Sequence, residues 1–205
     1  MIPAPPVRLT TSRPLTFDDL ETIPDDLYRY EVHGGSLVAW ASPGGLHQQT
    51  LQELLILLDD AVKAAGVGEV LPGPFSVEFT RHNIVLPDLI FIHKDQRRQL
   101  TNRRFLGAPC LLVEVSVPES AHSDFVTKVV LYMDGGVGEY WIADPRKRRF
   151  FIYRPAGETT TVERVTSGTA TSTIVPGFAV DLDQFFAELS FFLTIDRGEK
   201  PAISG

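Results

Sequence analysis

Three side chains in this sequence are equipped for phosphoryl chemistry. Asp88 stands in Leu86-Pro87-Asp88-Leu89-Ile90-Phe91-Ile92, Glu114 in Leu111-Leu112-Val113-Glu114-Val115-Ser116, and Lys128 in Ser123-Asp124-Phe125-Val126-Thr127-Lys128. Both acids interrupt apolar strands, and taking an ion out of water is costly unless a partner offsets it. A cation shared between two strands offsets both at once. Mg²⁺ suits such a site, because it takes few carboxylates, keeps several waters and accepts phosphate oxygens. A metal held there lowers the pKa of a bound water and neutralises charge on a phosphoryl transition state. A lysine alongside orients that water or holds the phosphate as a point charge. This is the outfit of a phosphodiesterase.

The elements must bring these groups together. Alternation along residues 111–116 puts Leu112, Glu114 and Ser116 on one strand face and Leu111, Val113 and Val115 on the other. Asp88 opens its strand, and the two acids meet only if the strands are neighbours. Each residue also has a plainer reading: Asp88 as a turn acid, Glu114 as a buried partner of an arginine. For Lys128 the plainer reading is an i,i+4 surface pair with Asp124, which spacing alone favours. A further acid, Glu31, lies in Tyr28-Arg29-Tyr30-Glu31-Val32-His33. There alternation groups Arg29, Glu31 and His33, and spacing reads them as the polar outer face of a hairpin.

Around these residues, Thr16-Phe17-Asp18-Asp19-Leu20 carries a cap and first-turn acids for a short helix. Strands are expected over 28–33 and 37–41 around Gly34-Gly35. A helix is expected over 46–65, striped by Leu51, Leu54, Leu55, Leu58, Ala61, Val62 and Ala65. Strands follow at 69–71, 75–79 and 88–93, with Pro87 confined to a strand start. Residues 94–109 read as a polar, Arg-rich connection and 110–116 as a strand covered on both faces. Ser123 or Asp124 caps the helix that carries Lys128. Strands are expected at 139–143 and 149–153, an exposed strand pair within 159–173, and a last helix from Asp183. Residues 1–14 read as a loose arm, 15–195 as one domain and 196–205 as a tail. The class is α/β to α+β, a mixed sheet flanked by helices.

Composition limits the function. The chain has 205 residues, 43% hydrophobic and 22% charged, ordinary for a globular domain. No apolar run approaches the ~20 residues of a membrane helix, and the N-terminus does not read as a secretory signal. The single cysteine, Cys110, excludes an intrachain disulfide and a thiolate zinc site, and suits a reducing cytoplasm. The five histidines show no metal-ligand spacing. A net charge of −7 argues against a surface that grips nucleic acid everywhere. Two basic stretches remain, Arg97-Arg98 with Arg103-Arg104 and Arg146-Lys147-Arg148-Arg149, whose plainer reading is solvated loops.

In order and spacing these segments resemble the Uma2 family, from about Thr16 to Phe186. The resemblance is carried by Tyr30-Glu31-Val32-His33-Gly34-Gly35-Ser36-Leu37-Val38, a helix starting near His47, Pro87-Asp88, and Val113-Glu114-Val115-Ser116-Val117-Pro118. It continues in Asp124 to Lys128 with Tyr132, and in Gly136-Val137-Gly138-Glu139-Tyr140-Trp141-Ile142-Ala143-Asp144-Pro145. It implies a branch of the PD-(D/E)xK nuclease superfamily, with a restriction-endonuclease-like core and an N-terminal hairpin. The superfamily's usual lysine, two residues after the second acid, is Ser116 here. The resemblance therefore implies that Lys128 has taken its role from a helix, and that Glu31 joins the site. It also implies that the Val115 carbonyl binds metal beside Asp88 and Glu114. The implied activity is a Mg²⁺-dependent endonuclease, with Mn²⁺ as a substitute, acting on nucleic acid and foremost DNA. The alternative is a catalytically idle nucleic-acid- or protein-binding module on the same fold. Phe185, Phe186, Phe191 and Phe192 near the C-terminus pack on the core or pair two subunits as a homodimer.

Overall fold

The computed structural model describes residues 7–9, 11–24, 26 and 28–199. Of the expected arm, residues 1–6 and 10 lie outside these, as do tail residues 200–205. Val7–Leu9 does not hang loose: it forms strand β1, paired antiparallel with residues 37–39. Helix α1 (Phe17–Leu20) starts at Thr16, whose N–H and hydroxyl both donate to Asp19 Oδ2 at 2.9 Å. Strands β2 (Tyr28–His33) and β3 (Ser36–Ala41) form the expected hairpin. Gly34 and Gly35 have φ of 57° and 80°, as a two-residue turn with two left-handed positions requires.

Helix α2 (Gly45–Ala65) buries Leu46, Leu54, Leu58 and Val62 and ends at Gly66, in the left-handed conformation. β4 (Gly68–Pro72), β5 (Ser76–Thr80), β6 (Asn83–Val85), β7 (Leu89–His93), β8 (Arg104–Leu106) and β9 (Leu111–Val115) follow. Then come helix α3 (Lys128–Asp134), β10 (Glu139–Asp144), β11 (Arg149–Ala156), β12 (Thr159–Val165), β13 (Thr169–Thr171) and β14 (Ala179–Asp181). Helices α4 (Leu182–Glu188) and α5 (Ser190–Asp196) follow them.

The strands build two mixed six-stranded sheets, ordered β1-β3-β2-β6-β5-β8 and β12-β11-β10-β9-β7-β4, with β13-β14 as a separate pair. The expected hairpin has thus grown into a sheet of its own. In the second sheet only β9 and β10 run parallel. Leu111, Val113 and Val115 pack with α2 and the C-terminal helices, while Leu112 packs with Tyr132 and Tyr140. A central sheet covered on both faces explains why β9 reads as continuous apolar sequence.

Four expectations are corrected. The helix bearing Lys128 is already turning at Ala121, so Ser123 and Asp124 lie inside it rather than capping it. Asp124's N–H bonds to Ser120 O at 2.9 Å, and its carboxylate accepts from Ser120 Oγ at 2.5 Å. Residues 159–173 are no strand pair: β12 pairs with β11 and β13 with β14. The connection over 94–109 contains a 3₁₀ turn, Lys94–Gln99, and strand β8. Helix α4 is capped by Asp181, which accepts from the Gln184 N–H, and so starts at Leu182, one residue before the expected Asp183. Phe185 and Phe186 are buried in the core, whereas Phe191 is exposed.

Candidate active site in the corner between the sheets

The chain passes from the first sheet to the second through Leu86-Pro87-Asp88. β6 ends at Val85 and β7 begins at Leu89, so Pro87, which lacks an N–H, sits where no ladder bond is lost. β7 pairs antiparallel with β9 in a register that sets Leu89 opposite Val113. Extending that register by one residue sets Asp88 opposite Glu114, where side chains share a face. The neighbouring-strand condition is met.

Asp88 is fixed from three sides. Its Oδ2 accepts the Val115 N–H at 2.8 Å and lies 2.9 Å from His47 Nε2, while Oδ1 accepts from Arg29 Nη1 at 3.2 Å. Burial pushes its pKa up, but His47, Arg29 and the Val115 N–H outweigh burial and hold it at about 2. Glu114 accepts on Oε1 from both Lys128 Nζ at 2.7 Å and Tyr132 Oη at 2.9 Å. Burial raises its pKa well above the usual carboxylate range. Lys128 opposes that rise, and Asp88, Asp124 and Glu31 add to it.

Lys128 therefore does reach the acids from its helix. A π-helical turn, Ser123–Thr127, precedes it; such turns re-aim side chains and recur at functional sites. The ammonium lies 2.7 Å from Glu114, 3.3 Å from Glu31 and 4.0 Å from Asp124, and the residue is 5% exposed. Burial alone would lower its pKa. The three carboxylates more than reverse this and keep it charged far above neutrality. The i,i+4 pair with Asp124 exists, but as the longest of three contacts in a buried cluster.

Glu31 corrects the hairpin reading: it is 1% exposed, not on an outer face. β2 is an inner strand, flanked by β3 and β6, which turns the Glu31 face into the corner. Its Oε1 accepts the Leu86 N–H at 2.8 Å. Its Oε2 accepts from Trp40 Nε1 at 2.8 Å and lies 2.9 Å from His33 Nε2. Burial pushes its pKa up, yet Lys128 and His33 hold it well below the usual range. Asp124, by contrast, is raised by burial to about 6, with Asp88 and Glu31 adding to the rise against Lys128 and Ser120.

The groups line one cavity of about 240 Å³, walled also by Trp40, the first turn of α2, Ser116, Val117 and Arg146. Val115 lines it too; the contact it makes there is through its N–H, to Asp88.

Spacing alone does not find His47, Arg29, Tyr132 or the buried role of Asp124. Two signals exist. His47 continues the Leu54, Leu58 stripe of α2, a polar residue at a core position. Asp124, Lys128 and Tyr132 recur every fourth residue on one helical face.

The chemistry of the donor set tests a metal. Four carboxylates (Glu31, Asp88, Glu114, Asp124) surround the cations Lys128 and Arg29, leaving excess negative charge in a buried corner. Among the described residues, no three of His, Cys, Asp and Glu converge as a ready metal cage. Two acids and an excess of charge suit Mg²⁺, which keeps most of its waters, and do not suit zinc.

No curated protein matches the chain. A solved structure described as a putative nuclease belonging to DUF820, from Anabaena variabilis ATCC 29413, is similar over 86% of this chain and 99% of that one. It has a TM-score of 0.72 and 19% identity, a likeness of fold. The type IIG restriction endonuclease BpuSI is 14% identical over 76% of this chain and 17% of its own, at a TM-score of 0.37. That likeness is too slight to inform the site. The sequence pattern described as "Uma2: Putative restriction endonuclease" matches residues 16–187, and the chain belongs to the Uma2 family.

Proposed function

We propose that the protein is a Mg²⁺-dependent endonuclease that hydrolyses phosphodiester bonds of nucleic acid, foremost DNA. The carrying observation is the convergence of Asp88, Glu114, Glu31 and Lys128 on one cavity from four separate elements. Asp88 and Glu114, with the Val115 carbonyl, would hold the ion. Bound there, it would supply a more acidic water and offset charge on the phosphate. Lys128 is held charged, so it acts as a fixed cation toward the phosphate or the attacking water and not as a base. Glu31 anchors the ammonium and stays ionised. His47 and Arg29 keep Asp88 ionised and aimed. The water's oxygen bonds to phosphorus, the P–O ester bond breaks, and the proton that the water gives up ends, through solvent, on the leaving oxygen. The positive end of α2 at the cavity wall favours the anionic group.

The test is incubation of supercoiled plasmid and of single strands with Mg²⁺ or Mn²⁺. Wild type is expected to cut, and Asp88→Ala to lose at least a hundredfold in rate. Equal behaviour of the two proteins ends the proposal. One observation favours the idle module: Lys128 already satisfies Glu114, and His47 and Arg29 satisfy Asp88. Calorimetric titration with Mg²⁺ separates the readings. Binding lost in Glu114→Ala supports the enzyme, and absence of binding supports the module.

A further inference from the structure

We propose that the cleft lined by Arg146, Lys147 and Arg149 is a binding subsite for single-stranded nucleic acid, holding the nucleotide next to the one at the carboxylate cavity. This rests on the nuclease reading only for what happens to the strand, not for its binding. The basic run forms the turn between β10 and β11, a 3₁₀ turn over Pro145–Lys147 followed by left-handed Arg148 at φ 49°. Beside it lies a second cavity of about 280 Å³. Ser116, Val117 and Arg146 line both cavities, so the two lie side by side with these residues between them.

The chemistry of the cleft is that of a stacking platform. Phe125 and Phe151 line it, half-buried, edge-to-face at 4.9 Å. The Arg149 guanidinium lies 4.8 Å over the Phe151 ring. Bases stack on such surfaces irrespective of sequence, and a cation over the ring adds to the attraction. Arg149 is paired with Asp144 at 2.9 Å and Arg146 with Asp196 at 2.8 Å. Lys147 is exposed and has no ion pair among the described residues, so the cleft carries one cation beyond its own acids.

Two features select a single strand over a duplex. Asp88 and Glu114 are recessed, 2% and 4% exposed. A flexible strand can dip one phosphate into the recess while the next base splays onto the Arg149 guanidinium that lies over Phe151. Glu119 stands at the cavity wall, where a rigid duplex brings two charged backbones against it and a single strand only one.

Fluorescence anisotropy with a short labelled single strand, and with its matched duplex, tests this in EDTA so that nothing is cut. Wild type should prefer the single strand. Lys147→Glu should weaken binding about tenfold, and Lys147→Ala should reduce the salt slope by about one. Arg98→Glu, in the other basic stretch, should change little. Equal weakening by Arg98→Glu, no effect of Lys147→Glu, or equal affinity for the duplex would each overturn the subsite. A protein that binds through Lys147 but cuts nothing with Mg²⁺ sinks the nuclease reading and leaves the subsite standing.

Discussion

Four carboxylates around Lys128 and Arg29 leave more negative charge than the corner's own cations answer, and acid–base behaviour follows from that excess. Asp124, raised to about 6, binds its proton more tightly folded than unfolded. Its contribution is therefore full below the ordinary carboxylate pKa and is lost as pH rises through about 6. Glu114, also raised, has the same sign. Asp88, held at about 2, has the opposite sign and matters only as pH falls below the carboxylate range. In EDTA, stability should fall by about 1–2 kcal/mol between pH 5 and 7.5. Asp124→Asn should remove part of that slope and be the more stable protein at pH 7.5. Urea unfolding at both pH values measures it, and a flat or rising profile in wild type contradicts the charge excess. His47 acts through Asp88 rather than on the substrate. Outer partners of metal ligands are typically worth about 10–100-fold. His47→Ala should lose that much in kcat with little change in KM, and His47→Gln, which restores an N–H, should recover part. An unchanged kcat in His47→Ala would leave the histidine a packing role only.

At the scale of elements, what is legible in the sequence is what local pattern controls. α2, the β2–β3 hairpin and β9 follow from periodicity and glycine placement. The pairings of β6, β8, β13 and β14 do not, because strands of three residues carry too little alternation and take their partners from tertiary contacts. The same gap hides the role of Glu31. Alternation groups it with Arg29 and His33 but cannot say that β2 will be an inner strand. The site acids also need separating from an acid that looks just as buried. Glu139, at the far end of β10 from the corner, is fully buried and receives Arg154 Nε, Ser172 Oγ, the Thr173 N–H and hydroxyl, and Trp141 Nε1. Burial pushes its pKa up, and Arg154 with the Thr173 and Ser172 donors outweighs it. It ties the segment after β13 to the central sheet. Glu139→Ala should cost about 3–5 kcal/mol, since it strands Arg154 and several donors. Turnover per folded molecule should stay unchanged, read as activity below the melting transition. Loss of activity without loss of stability would move Glu139 into the chemistry.

Across the whole molecule, two sheets that share a buried cluster, Val77, Val85 and Phe105 of the first with Ile90, Leu112 and Tyr140 of the second, also meet at Leu86-Pro87-Asp88, and the proposed ion would bind at that joint. Glu31 comes from the first sheet, Asp88 from the crossing and Glu114 from the second sheet. An ion that binds only the assembled corner stabilises the entire fold by mass action, about 2.7 kcal/mol at a hundred times its Kd. Protons compete for the same charge excess, so the stabilisation should be larger at pH 7.5 than at pH 5. It should vanish in Asp88→Asn/Glu114→Gln, which keeps the shape of both groups and removes two charges. In EDTA at pH 7.5, Glu114→Gln alone should be at least as stable as wild type, because it relieves repulsion in the corner, whereas Asp88→Asn alone should be less stable, because it weakens the pairing with His47 and Arg29. Thermal unfolding with and without Mg²⁺ at the two pH values reads these outcomes. A Mg²⁺ effect that persists in the double variant places the ion elsewhere on this acidic protein. No Mg²⁺ effect in wild type at pH 7.5 means that Lys128 and Arg29 already answer the carboxylates on their own.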